Sequence, residues 1–204
     1  MSRLRPLRRP TAKGVSSGTL VVLALALGQW LDTQLPQAPD ANRPYEVEGQ
    51  VGERVDLRSG HLEVTSVNGA TVVDLQSSLR RSPGVFTVVE LTWTPLGESS
   101  SLEYAALRDN RGRELPFGSL YGRNVLDCRG TVTGVPVRCL AVVEADPDTL
   151  AGASLALATA PDDLRWDSMA VVDLGIDDAD VDRWREQDEP LPAPATGIAP
   201  GGGR

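Results

Sequence analysis

Between Tyr45 and about Ile176 the apolar residues recur at a spacing of two, in short runs broken by turn residues. This is the pattern of strands with one face buried and one wetted. The runs are Tyr45–Gln50, Glu53–Leu57, His61–Val67, Ala70–Leu75, Val85–Thr94, Leu102–Leu107, Arg113–Pro116, Val135–Glu144, Ser154–Ala158 and Met169–Ile176. The longest β-prone stretch is Gly84–Pro95, rich in Val, Thr, Phe and Trp and stopped by Pro95. On it Val85, Val89, Leu91 and Trp93 share one face. Phe86 and Val88 share the other, which turns polar at Glu90 and Thr92. Such a strand is expected to be covered on both faces in its first half and wetted on one in its second. Asn68-Gly69 between two alternating runs predicts a two-residue hairpin turn. Asp109–Gly112 predicts another, and Asp148–Ala151 a short helical turn. Seven to nine short strands in about 130 residues predict a mostly β fold, an immunoglobulin-like two-sheet antiparallel sandwich over residues 45–176.

The flanks follow other patterns. Residues 1–13 hold Arg3, Arg5, Arg8, Arg9 and Lys13 and no acid. Residues 14–31 are uncharged, most apolar from Leu20 to Leu27, and no basic residue follows until Arg43. The charge order places residues 1–13 in the cytoplasm and the bulk of the chain outside. Two readings of 14–31 remain open. One is a spanning helix with Trp30 at the far interface. The other is the core of a cleaved signal peptide, with small residues at Ala24, Ala26 and Gly28. Residues 32–44, with three prolines, read as an extended linker. Residues 177–186 predict a short acidic helix capped by Asp177 or Asp178, with Arg183 and Arg185 near its end. Residues 187–204 hold four prolines and four glycines and are expected to be disordered.

Charge narrows the partners. The formal net charge of -8 divides into +5 over residues 1–13 and -13 over the remainder, which has 15 basic and 28 acidic residues. So acidic a body argues against nucleic acid, which needs clustered Lys and Arg. Cys128 and Cys139 flank a segment with Thr133-Gly134 at its centre. If that pair is a two-residue turn, the cysteines face each other across an antiparallel pair, within reach of a disulfide. An exported domain meets an oxidising compartment, and a disulfide is expected here. The sulfurs lack the Cys-x-x-Cys spacing of a reactive thiol, so a structural role is expected.

Catalytic and metal chemistry finds little to stand on. His61 is the only histidine, and no nucleophile-elbow motif accompanies it. Asp178, Asp180, Asp182 and Glu189 imitate the spacing of a calcium loop, but Arg183 occupies the position that needs glycine and Pro190 follows the glutamate, so a solvated helix start is the better reading. Leu191–Gly197 has neither the spacing nor the trailing apolar segment of a sorting signal. No metal, no cofactor and no catalytic residue is expected.

Ser82–Trp93 resembles the signature strand of a family of Ig-like bacterial extracytoplasmic domains, in which a Gly-x-Phe/Tyr-Val-Val-Val-acid-x-Thr pattern is typical. Val51–Val55 and Leu62–Val67 before it, Leu107–Leu115 after it and Val142–Pro147 further on agree with that pattern. The resemblance spans roughly residues 47–160. It implies an Ig-like fold on a secreted, lipid-anchored or membrane-anchored envelope protein and transfers no catalytic residue. The expected function is that of a membrane-tethered extracytoplasmic binding module. It would be held by its N-terminal helix and act through contact with an envelope or membrane protein, as an accessory subunit of a membrane assembly. The rival expectation is a hydrolase using carboxylates and His61. A deep pocket gathering His61 with two carboxylates would favour the enzyme, whereas an exposed apolar strip on a sheet face would favour the module.

Overall fold

The computed structural model describes residues 21–31, 44–75, 78–97, 100–117, 124–159 and 168–199. The expectations for 1–13, for 14–20 and for 32–43 lie outside the described residues. Two units separate, residues 1–43 and 44–204. In the first, residues 21–31 are helical, with Val21, Val22, Leu23, Leu25, Leu27, Trp30 and Leu31 exposed. Among the described residues no helix is long and apolar enough to cross a membrane.

The second unit is mostly β. Its strands are β1 (Tyr45–Gln50), β2 (Arg54–Asp56), β3 (Gly60–Asp74), β4 (Leu79–Pro95), β5 (Tyr104–Arg108), β6 (Glu114–Pro116), β7 (Val125–Asp127), β8 (Val137–Ala145), β9 (Ser154–Ala158), β10 (Ser168–Asp173), β11 (Leu191–Pro192) and β12 (Gly197–Ile198). A helix, Asp178–Glu186, separates β10 from β11. Sheet A runs β1-β10-β9-β5-β6. Sheet B runs β11-β3-β4-β8-β12, with β2 on β3 and β7 on β8. The pairings are antiparallel except β1 with β10 and β11 with β3. Those two depart from the all-antiparallel expectation because β1 and β11 are added at sheet edges by chain arriving from elsewhere, not by hairpins. Here Tyr45 starts opposite Ser168, the start of β10.

The main core lies between the sheets. Val85, Val89, Leu91 and Trp93 of β4 meet Leu107, Leu155, Leu157, Ala170 and Val172 of sheet A, all fully enclosed. The expected face of β4 is the observed one. Trp93 is 0% exposed, and its Nε1 donates to Ser100 O at 2.8 Å, so its one polar atom is satisfied. The turn at Asp109–Gly112 forms as expected. Gly112 has φ 74, and the buried Asp109 carboxylate accepts from Arg111 N (2.9 Å), Arg113 N (2.8 Å) and Arg113 Nε (2.7 Å). Burial alone would raise the Asp109 pKa. The hydrogen bonds from Arg113 and Arg111 outweigh it and hold the carboxyl below its usual range.

Asn68-Gly69 is not a turn. Both residues lie inside β3, with Asn68 opposite Val88 and Gly69 opposite Thr87. The glycine is required by packing instead of by backbone angle, because a Cβ on Gly69 would overlap the indole of Trp184. Trp184 is 3% exposed and, with Val181, carries the helix into the main core. The helix itself forms as expected. Asp177 caps it, and Asp177 and Asp180 exchange hydrogen bonds with each other's backbone N–H in a capping box. The segment expected to be disordered is ordered over residues 187–199, where it forms β11 and β12. Its apolar residues have a sheet face to cover, which composition alone does not reveal.

Two outcomes follow from this packing. Trp93→Ala should cost on the order of 3–5 kcal/mol in urea unfolding, whereas a loss under 1 kcal/mol would mean the indole is not enclosed. Gly69→Ala should cost roughly 1–3 kcal/mol by overpacking against Trp184. The same substitution made on Trp184→Ala should cost much less, and an additive double mutant would disprove the contact.

Candidate interaction surface

The outer face of sheet B, turned away from the main core, changes character along β4. At one end Phe86 and Val88 of β4 stand beside Leu140 and Val142 of β8 and Val73 of β3, all buried. At the other end the rows are polar: Asp56–His61–Thr94 and Arg54–Glu63–Thr92–Arg138 lie side by side across the strands. The alternation of β4 dictates this division, since every residue opposite a core residue must face outward.

Two pieces of chain cover the apolar end. The pairing of β3 with β4 is irregular between Ala70 and Val72, where the partners jump from Phe86 to Arg81. Beyond that point Val73 and Leu75 pack onto the same cluster as Phe86 and Leu140. The second cover is a strap, residues 187–199. Gln187 O accepts from Thr71 N (3.3 Å) and Thr71 Oγ1 (2.9 Å). Leu191 and Pro192 pair with Val73 and Asp74, and Ala193 N donates to Asp74 O (2.9 Å). Gly197 and Ile198 pair with Arg138 and Val137, and Ala199 N donates to Pro136 O (3.0 Å). Between the two pairings Ala193 is buried against Val73, Phe86 and Val142. Ordering a residue costs about 1–2 kcal/mol. Each large apolar side chain covered contributes about 1.5–3 kcal/mol. The hold of the strap is thus a small difference between large terms.

The strap does not fill its groove. An open cavity of about 560 Å³ lies beside it, lined by Leu75, Val125, Leu140, Ala193 and Pro194 and also by Asp127 and Arg129. Arg129 grips Asp127 with two hydrogen bonds (2.7 and 2.9 Å), and Thr196 Oγ1 adds a third (3.2 Å). The Arg129 bond, against a smaller opposing effect of burial, holds the Asp127 carboxyl below its usual range.

Cys128 and Cys139 form a disulfide, with Cα atoms 4.4 Å apart. The hairpin expectation holds in register. Asp127 opposes Leu140, Val132 bridges Val135, and Thr133-Gly134 is the turn, with Gly134 at φ 74. Cys139 is 0% exposed on the core face opposite Leu91. Arg129 points to Asp127, away from the sulfurs.

Among the described residues His61 stands on the outer face of sheet B beside Asp56, and it lines neither the cavity beside the strap nor the depression at Glu48, Glu53 and Asp173. Its Nδ1 lies 2.7 Å from Asp56 Oδ1 but makes no aligned hydrogen bond, and Asp56 is also held by Arg54 Nε at 2.8 Å. The Arg54 hydrogen bond is the main reason the Asp56 carboxyl sits below its usual range. Thr94 is the cross-strand neighbour of His61. Among the described residues no group of three His, Cys, Asp or Glu side chains could hold a metal ion. Asp180, from the calcium-like spacing, is spent on the helix cap and on Arg183.

The outer face of sheet A carries another polar cluster. Arg108 donates to Glu46 Oε1 and Glu114 Oε1, both at 2.8 Å, and Tyr104 Oη donates to Glu114 at 3.2 Å. Ala106, Ala156 and Ala158 form a buried cluster on that face with Met169. The bond to Glu46 is the largest influence raising the Arg108 pKa. Nearby, Glu48, Glu53 and Asp173 line an open depression of about 420 Å³.

No family model and no curated protein matches this chain. A solved structure to which it is similar is the yjhA protein from Bacillus subtilis, at 16% sequence identity and a TM-score of 0.45. The likeness covers 61% of this chain and 99% of that one.

The sequence reading located the disulfide and both faces of β4 but missed the strap. Its signal was present in Phe86 and Val88, two large apolar residues on a face expected to be covered with no segment assigned to cover it. Replacing Cys128 and Cys139 together by serine should lower the melting temperature by several degrees, since closing so short a loop contributes roughly 2–3 kcal/mol. In unreduced protein both thiols should resist alkylation, and free labelling would show that the bond does not form.

Proposed function

We propose that this chain is a membrane-tethered, extracytoplasmic Ig-like interaction module that acts by binding another protein of the envelope or membrane. The observation that carries the reading is the outer face of sheet B. The apolar strip on that face is buried and not exposed as expected of a docking module, but part of its cover is a thirteen-residue strap, 187–199, whose two short pairings leave a groove of about 560 Å³ beside it. Three further observations support the proposal. Sheet B contains the order β3-β4-β8-β7 and sheet A the order β10-β9-β5-β6. Numbered from β3 as strand A, these resemble the A-B-E-D and G-F-C-C′ orders of immunoglobulin sandwiches, with crossings between sheets after β4, β6 and β8, which supports the Ig-like reading. The buried disulfide suits an oxidising compartment. The basic residues before the uncharged run 14–31 suit a chain whose remainder is exported, anchored by that run or released after its cleavage.

The hydrolase alternative has one observation in its favour, the acid–imidazole–hydroxyl row Asp56–His61–Thr94. That row lies along a sheet surface, and Thr94 makes no hydrogen bond to His61 among the described residues. A positioned base needs such a bond to its nucleophile.

One experiment tests the proposal in intact cells. A reporter active only in the cytoplasm is fused after Arg204, and a photo-crosslinking side chain is placed at Glu63, exposed on the outer face of sheet B, or at Glu48 on sheet A. The fusion should be inactive, and Glu63 should give a discrete protein adduct that Glu48 does not. An active reporter, or no adduct from Glu63, would overturn it.

A further inference from the structure

We infer that the groove beneath residues 191–198 is a peptide-docking site. Its occupant in trans would be an extended segment of a partner protein, rich in proline and small residues like the strap, with a larger apolar side chain where the strap has Ala193. The strap occupies part of the groove in cis until it is displaced. This deepens the reading of the chain as an interaction module and rests on it.

The strap itself describes the ligand. Pro190, Pro192 and Pro194 favour extended backbone before binding, which lowers the entropy lost on docking. Its contacts are of two kinds, backbone pairing at strand edges and one apolar side chain set into the face between them. That is how strand-addition sites read peptides: main-chain bonds give affinity and pockets give specificity. The edges are those of β3 at Val73–Asp74 and of β8 at Val137–Arg138. The edge of β8 is open there because the β7 side of its hairpin leaves the ladder after Cys128, and Gly197–Ile198 take the vacated place.

The cavity is the independent observation. A dedicated internal cover would pack its groove to the density of a protein interior. Here Ala193 lies on the wall of a space of about 560 Å³ that Leu75, Val125 and Leu140 also line. A larger apolar side chain at this position gains burial that the strap forgoes. Each end of the strap pairs through a two-residue strand with a few flanking hydrogen bonds, and Ile198 is 76% exposed, so no apolar anchor secures its far end.

The test uses the full-length protein in detergent micelles. The probe is a fluorescein-labelled peptide of residues 189–199 carrying Ala193→Leu, read by fluorescence anisotropy. It should bind saturably, on the order of tenfold more tightly than the unsubstituted peptide. Asp74→Cys with Pro192→Cys joins two paired residues and ties the strap down. In the oxidised form of this variant peptide binding should be lost, and it should return on mild reduction. Ala193→Leu in the protein itself fills the cavity from within, and should weaken peptide binding on the order of tenfold without any crosslink. Absence of saturable binding to the unlocked protein overturns the inference, as does equal binding to the oxidised and reduced locks. Either failure leaves the exported reporter and the Glu63 adduct untouched, so the groove can fail while the module reading stands.

Discussion

The burial of β4 on both faces is the constraint on which the rest of this domain depends. A strand in a two-layer sandwich needs one covered face, and its other face is ordinarily wet. Here Val85, Val89, Leu91 and Trp93 fill the space between the sheets, while Phe86 and Val88 are buried on the far side. A second cover is therefore obligatory, and the protein assembles it from the bent end of the β3–β4 hairpin and from residues 187–199. Without it, two large side chains of β4 and their neighbours Leu140 and Val142 would face solvent.

Close fits elsewhere follow from the same long strand pair. Gly69 opposes Thr87, and the missing side chain leaves room for Trp184, which brings the helix onto the sheet. On the other edge of β4, Cys139 sits opposite Leu91, and its disulfide ties the β7–β8 hairpin into the main core. Each device secures a different neighbour of β4 by a different means: a void filled by an indole, a covalent bond, and a strap. The core face of sheet B carries the main core, and on its outer face the strap supplies part of the cover.

The polar clusters divide in a similar way. Asp109 is enclosed and answered by three donors from its own turn, so it fixes the β5–β6 hairpin. Arg108 joins β1 to β5 and β6 through two glutamates. These carboxylates and guanidiniums satisfy one another, as structural ion pairs do. His61 and Asp56 stand on the polar half of the outer face of sheet B, beside threonines and charges that suit a wetted rim.

Local patterns determined what depends on neighbours in sequence. The period-two runs marked most strands, the alternation on β4 assigned its faces, Thr133-Gly134 set the register that joins Cys128 to Cys139, and Asp177 marked the helix start. Tertiary structure decided whatever depends on residues far apart. Asn68-Gly69 has the residues of a turn, yet strand pairing with β4 overrode them, because the long ladder from Gly60 to Asp74 and a seat for Trp184 outweigh a local preference. The Pro- and Gly-rich composition of 187–204 read as disorder for the same reason. Short pairings gain nothing in isolation and become favourable only where a folded sheet presents open edges and an uncovered apolar face. The face that needs a cover is written in Phe86 and Val88, but the segment that supplies it lies a hundred residues away, and only the fold brings them together.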